Sequence, residues 1–233
     1  VIQAFIVSRP ELLQKLYNQC TESLVGRLKE REDSVKTSII ICLEELMKAT
    51  ASRRRSGGGS RDGVVDLLER KKDDIVNAIC RLVKDKKNSV KVKTALFGLF
   101  SHLLNALDLE SAAPANGTRR GISAHFDVLL PLVSTMLRDR NGNLKLQVLQ
   151  FLQMVLEGHS ADELRPHANA LIPAVIACAS EDWYKVIAQS LRVISAFVGV
   201  LRPITVDGGG RSFLASSVPA PGSTESELLG KMF

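Results

Sequence analysis

A chain of 233 residues that is 45% apolar but only 5% aromatic, with one tryptophan and two tyrosines, has the composition of aliphatic helix-on-helix packing. It argues against a β-sandwich or an aromatic ligand groove. The net charge of +6 is local: residues 51–95 hold thirteen basic and six acidic side chains, whereas 1–50 hold seven of each and 96–233 hold eleven and twelve. That excess reads first as a solvated lysine face and, in the sharper alternative, as a patch for an acidic protein partner. It does not point to nucleic acid, because no aromatic residue sits among these lysines to stack a base.

In chain order, residues 1–8 read as an apolar helix end before Pro10. Val1 opens in mid-pattern without a leader-like segment, which predicts a piece of a longer intracellular chain. Leu12 to about Lys29 places Leu13, Leu16, Tyr17, Cys20, Leu24 and Leu28 at helical spacing, and Val35–Thr50 does so with Ile39, Leu43, Leu46 and Met47. A polar turn, Glu32-Asp33-Ser34-Val35-Lys36, joins them. An insertion over 51–69 follows, opening on ASRRRSGGGSRDG (51–63), whose arginines and glycines bury little and read as loop. The glycines lack the strand, lysine and helix that a phosphate-cradling loop needs.

Asp74–Val83 and Val90–Leu107 form the next pair, and Arg81, Lys84, Lys86, Lys87, Lys91 and Lys93 straddle their turn. A second insertion, 109–121, contains Asn116-Gly117-Thr118, which has glycosylation spacing but sits in a chain that reads as intracellular. His125–Leu137 and Leu144–Leu156 pair next, with Pro131 inside the first helix. Gly158-His159-Ser160 ends that pair. A serine beside a histidine, with no third group to orient them, is a loop and not a nucleophile. In 165–203, Leu171, Ile172, Val175, Ile176 and Ala179 recur before the turn, and Ile187, Leu191, Ile194 and Val198 recur after it as the buried stripe. Residues 204–224 read as a Gly/Ser/Pro linker, and 225–233 as the start of a further repeat.

The turns align on Val35, Val90, Leu144 and Tyr184, each followed by lysine. Each aligned apolar residue is expected to start its helix's buried stripe, and Asp33, Asn88, Asn143 and Asp182 are expected to cap the second helix of each pair. The last spacing, 40 residues, falls at the lower edge of the roughly 40–47 residues of HEAT and armadillo units. The two earlier spacings are longer, and each interval contains an insertion. These regularities predict an all-α chain: one right-handed α-solenoid of HEAT/armadillo-type hairpins, with repeats at about 10–50, 70–107, 123–157 and 165–203. The longest apolar stretches are helix-sized and interrupted, which predicts no membrane span. Cys20, Cys42, Cys80 and Cys178 are scattered without metal-ligand spacing and read as buried free thiols. No cofactor or small-molecule substrate is indicated. Glu44-Glu45 face different ways on a helix, which leaves paired-carboxylate catalysis without support.

Two stretches, LVGRLKEREDSVKTSIIICLEELMK and HANALIPAVIACASEDWYKVIAQSLRVISAFVGVLRP, resemble the cullin-associated, neddylation-dissociated family of all-HEAT regulators of cullin–RING ubiquitin ligases. The order of four repeats agrees along nearly the whole chain. The loops depart from the family at 51–63 and from residue 208 on. The resemblance implies a scaffold without chemistry of its own, found in the cytoplasm and nucleus. It would wrap the core of a cullin–RING ligase lacking the ubiquitin-like modifier and promote exchange of adaptor–substrate-receptor modules. It names no contact residues; the candidates read from the sequence itself are Lys84, Lys86, Lys87, Lys91 and Lys93. A tubulin-binding array is the rival among scaffolds, since Trp183 and Lys185 lie on one turn.

Overall fold

A computed structural model describes residues 10–55, 63–107 and 121–202. Eight α-helices fall in these segments: α1 (Pro10–Arg27), α2 (Asp33–Arg55), α3 (Gly63–Lys84), α4 (Val90–Ala106), α5 (Phe126–Leu137), α6 (Gly142–Gly158), α7 (Ala161–Ala179) and α8 (Tyr184–Leu201). A short 3-10 turn, Ser123–His125, leads into α5. No strand occurs among the described residues. All eight helices lie within one compact unit ending at Arg202, and residues 203–233, the linker and further-repeat segment of the sequence reading, lie outside the described residues.

The helices pair in sequence order, α1 with α2 through α7 with α8, and the pairs stack in two layers. The odd-numbered helices form one layer, α1 on α3 on α5 on α7. The even-numbered helices form the other, α2 on α4 on α6 on α8. This is the arrangement of a HEAT-type solenoid, in which each hairpin buries its apolar surface against the next. Ring contacts, one tilted and one stacked, seal the middle of the even layer: Phe97 and Phe100 of α4 lie 5.7 and 5.1 Å from Phe151 of α6. Such aromatic pairs contribute roughly 0.5–1.5 kcal/mol beyond their area. Ile39, Leu43, Leu46 and Met47 are all buried, as their spacing predicts.

Three expectations change on inspection. The insertion of 51–69 is narrower, because α2 runs through Arg55 and α3 already begins at Gly63, eleven residues before Asp74. Arginine, lysine and glutamate are good helix formers, so a charged sequence that looks like loop extends a helix once one face is packed. The stripe Ile187, Leu191, Ile194 and Val198 is not the core face of α8. Val186, Val193, Phe197 and Val200 are buried, while Leu191 and Val198 are more than half exposed. The third change concerns membranes: α8 is 18 residues long and apolar enough by length and composition to cross one. Its apolarity has two sources, a core face against α6 and α7 and an outer face that no described residue covers.

Pro131, Pro166 and Pro173 lie inside helices. Each forfeits a backbone hydrogen bond, and both helices continue through on the strength of their packing. All four cysteines are free; Cys20 and Cys42 are half-buried, whereas burial pushes the Cys80 thiol up to about 11 and the Cys178 thiol upward too. Protonated thiols of this kind are inert.

Candidate protein-interaction ridge

Of the turns joining α1–α2, α3–α4, α5–α6 and α7–α8, the first touches the second and the third touches the fourth, while the second and third line a common groove. Lys36 of the first hairpin donates to Asn88 Oδ1 of the second, and Lys145 of the third pairs with Glu181 of the fourth. Both lysines are nearly buried. Asn88 is held in turn by its own Nδ2, which donates to the Leu82 carbonyl at 2.8 Å. Hydrogen bonds from the Ser89 side chain and backbone, with Lys36 3.6 Å away, hold the Asp33 carboxyl below the usual range. Trp183 lies against Gly142, so close that a Cβ there would stand 2.8 Å from its ring.

The expected caps sit one or two residues off. Ser89 caps α4 by accepting from the Val92 N–H, and Asn141 caps α6 by accepting from Leu144. At α8 the capping position is Trp183, with no side-chain bond. Asp33 falls in the first turn of α2, Asn88 serves as the clip for Lys36, and Asn143 and Asp182 accept no capping bond. The aligned apolar residues also diverge. Leu144 is fully buried, Val90 half-buried, and Val35 and Tyr184 exposed.

The five candidate lysines do not form one patch. Lys84, Lys86, Lys87 and Lys91 are exposed and Lys93 is half-buried. Lys87 lines a groove of about 840 Å³ between the first and second turns. Lys91 lines a separate one of about 470 Å³ on the even layer, with Glu44 and Asn143. Burial pushes the Glu44 carboxyl up, against the pull of Lys48. Its neighbour Glu45 pairs instead with Lys48 at 2.9 Å. Trp183 and Lys185 are not a displayed pair: the indole is spent on packing against Gly142, with the lysine 5.8 Å from its centre.

Aligning the turns also brings out basic residues of the first and third turns. With Val35, Val90 and Leu144 in register, Lys29-Glu30-Arg31, Lys84-Asp85-Lys86 and Arg138-Asp139-Arg140 coincide as basic–acidic–basic triplets. A net-charge count hides them, because in the first and third turns nearby acids cancel the sum.

The comparisons with known proteins agree with this architecture. Residues 121–218 match the family model described as CAND1-like, TPR repeats. Cullin-associated NEDD8-dissociated protein 1 of Arabidopsis thaliana is 30% identical over 211 residues, covering 89% of this chain and 16% of that protein. Its counterpart of the same name in Drosophila melanogaster is 28% identical, covering 93% of this chain and 17% of its own length. Cullin-associated NEDD8-dissociated protein 2 of Mus musculus is 28% identical over 86% of this chain. The chain is thus a HEAT-type helical-repeat protein by its fold. Over about nine-tenths of its length it is similar to the cullin-associated NEDD8-dissociated proteins, and it spans about one-sixth of the length of the relatives it matches.

Proposed function

We propose that this array is a non-catalytic scaffold segment of a cullin-binding exchange factor. It acts on a cullin–RING ubiquitin ligase core that lacks the ubiquitin-like modifier, competes with adaptor–substrate-receptor modules for that core, and so promotes their exchange. The supporting observation is similarity over about nine-tenths of the chain to proteins named for association with cullins. A stacked array of hairpins suits the role, because such arrays present long surfaces that follow a partner.

On this reading the partner is a protein, the place of work is the cytoplasm and nucleus, and Lys84, Lys86, Lys87, Lys91 and Lys93 are the first contact candidates. Affinity capture of a purified cullin–RING complex by protein carrying this array tests it. Unmodified complex is retained in preference to the NEDD8-modified form; equal retention of the two, or none, sinks the proposal.

A further inference from the structure

Two of the three basic–acidic–basic triplets share a construction that charge counting misses. In the second turn the Asp85 carboxylate accepts from the Lys87 backbone N–H at 2.9 Å. In the third, Asp139 accepts from the Asn141 N–H at 2.8 Å. These are turns of the Asx kind, in which the acid shapes the backbone. The flanking cations are therefore left over. Lys29, Arg31, Lys84, Lys86, Arg138 and Arg140 are all exposed, and none has an ion-pair partner among the described residues.

Some cations elsewhere are paired, whereas others, Arg70 and Lys185 among them, are not paired among the described residues. Lys48, Lys71, Lys72 and Lys145 each lie within 3 Å of a carboxylate, and Arg165 lies 3.2 Å from Asp162. On the turns, unpaired cations recur hairpin after hairpin along one edge. Between the first two turns Lys29 and Arg31 line the groove of about 840 Å³, whose walls add Arg81 and Lys87 beside Glu30 and Asp85.

We infer that this edge is a docking ladder for an extended acidic segment of a partner protein, with carboxylates spaced about three residues apart. The spacing follows from geometry. Stacked helices lie roughly 8–10 Å apart, and a chain in the extended polyproline II form advances about 3.1 Å per residue with three residues per turn, so every third side chain lies on the same face and meets the next turn. A single small anion would leave most of the groove empty. Nucleic acid is disfavoured because no aromatic residue lines the groove. Leu82, half-buried in the wall, gives apolar side chains between the carboxylates something to touch. The inference does not rest on the cullin reading, since a segment of this chemistry from any partner would seat here.

Fluorescence anisotropy with the full chain tests it. The probes are a labelled peptide of about ten residues with glutamate at every third position, a peptide of the same composition with its glutamates contiguous, and a single-stranded DNA of equal charge. The spaced peptide should bind at least about threefold more tightly than the contiguous one. Reversing Lys84 and Lys86 to Glu, or Arg138 and Arg140 to Glu, should each weaken it about tenfold. Arg70→Glu, exposed on α3 away from the turns, should leave it within about twofold. These side chains are exposed, so the variants should unfold as the parent does, which urea melts verify. No binding, equal binding of the contiguous peptide, tighter binding of the DNA, or equal loss with Arg70→Glu overturns the inference.

Discussion

Lys36 of the first hairpin, nearly buried, donates its ammonium to the side-chain carbonyl of Asn88, 52 residues away in the second. Asn88 is itself 3% exposed and donates back to the Leu82 carbonyl, so one amide satisfies two elements. Asn88→Ala would leave the Lys36 ammonium only the Asp33 carboxylate 3.6 Å away, and would deprive the Leu82 carbonyl of its side-chain donor. We expect a loss of about 2–3 kcal/mol, read as a lower urea midpoint at unchanged slope. Lys36→Met removes the donor together with its charge, leaving only the neutral Asn88 Oδ1 unpaired, and should cost less. In a double-mutant cycle the two losses should sum to more than the double variant shows, by roughly 1 kcal/mol or more. Strict additivity would mean that the bond contributes nothing.

Gly142 and Trp183 make the corresponding contact between the third and fourth hairpins. The glycine opens α6 with an ordinary backbone, since the only positive φ among the described residues is at Gly121. What it provides is room, because an added methyl would stand 2.8 and 3.2 Å from two ring carbons. Alanine brings a better helix propensity, at most about 1 kcal/mol and less at a helix end. Overpacking against a ring held in place costs about 1–3 kcal/mol, so the clash wins. Gly142→Ala should destabilise the chain and shift its tryptophan emission, which reports one site because the chain has a single tryptophan. Adding Trp183→Leu should return most of the stability.

The hairpin order was legible in the sequence because helical periodicity and polar turns come from the same physics that stacks the helices. The caps were less so. Each turn offers several short polar residues, and a shift of one residue decides whether Asn88 or Ser89 meets the free N–H groups of α4. The buried lysines had no sequence signal at all. A lysine is seldom nine-tenths buried, and nothing local distinguishes Lys36 and Lys145 from the exposed Lys91 and Lys185 that follow the aligned apolar residue in the other two turns. The difference lies in a partner on the next hairpin. On the ridge, the triplets were visible only after the turns were superimposed.

His159, at the C-terminal end of α6, makes the fold sensitive to acid. Its Nδ1 lies 3.0 Å from the Val155 carbonyl, which can only accept. Its Nε2 therefore carries no proton and accepts from the Ile122 N–H at 3.3 Å, pinning the chain where it enters the third hairpin. Burial lowers the pKa of this imidazole, outweighing the Val155 bond and the nearby Glu163. Because the folded value lies below the unfolded one, the unfolded chain takes up the proton first. Stability is thus complete above about pH 6.5 and falls as pH drops toward the folded pKa. His102, also lowered by burial, acts in the same direction. Urea midpoints should fall from about pH 7.5 to pH 5.5, and His159→Gln should lower the midpoint at the higher pH and flatten the dependence. An unchanged slope with pH in the variant would remove His159 from the account.

The two faces of α8 make the last prediction, because the sequence alone assigns them wrongly. Phe197 is 3% exposed and Val193 fully buried, whereas Leu191 and Val198 are 57% and 53% exposed. Truncating Phe197 to alanine removes a large buried ring and should cost about 3 kcal/mol or more. Leu191→Glu and Val198→Glu lose almost no burial and should stay within about 0.5 kcal/mol of the parent. Their effect should fall on association instead. An exposed stripe of Tyr184, Leu191 and Val198 one helical face wide favours contact between copies, and a carboxylate set into it opposes that contact. Sedimentation across a concentration series should show self-association in the parent that both variants reduce. Strong destabilisation by Leu191→Glu would mean that the exposed stripe is the packed one, and the stacking order of α6, α7 and α8 would have to be redrawn.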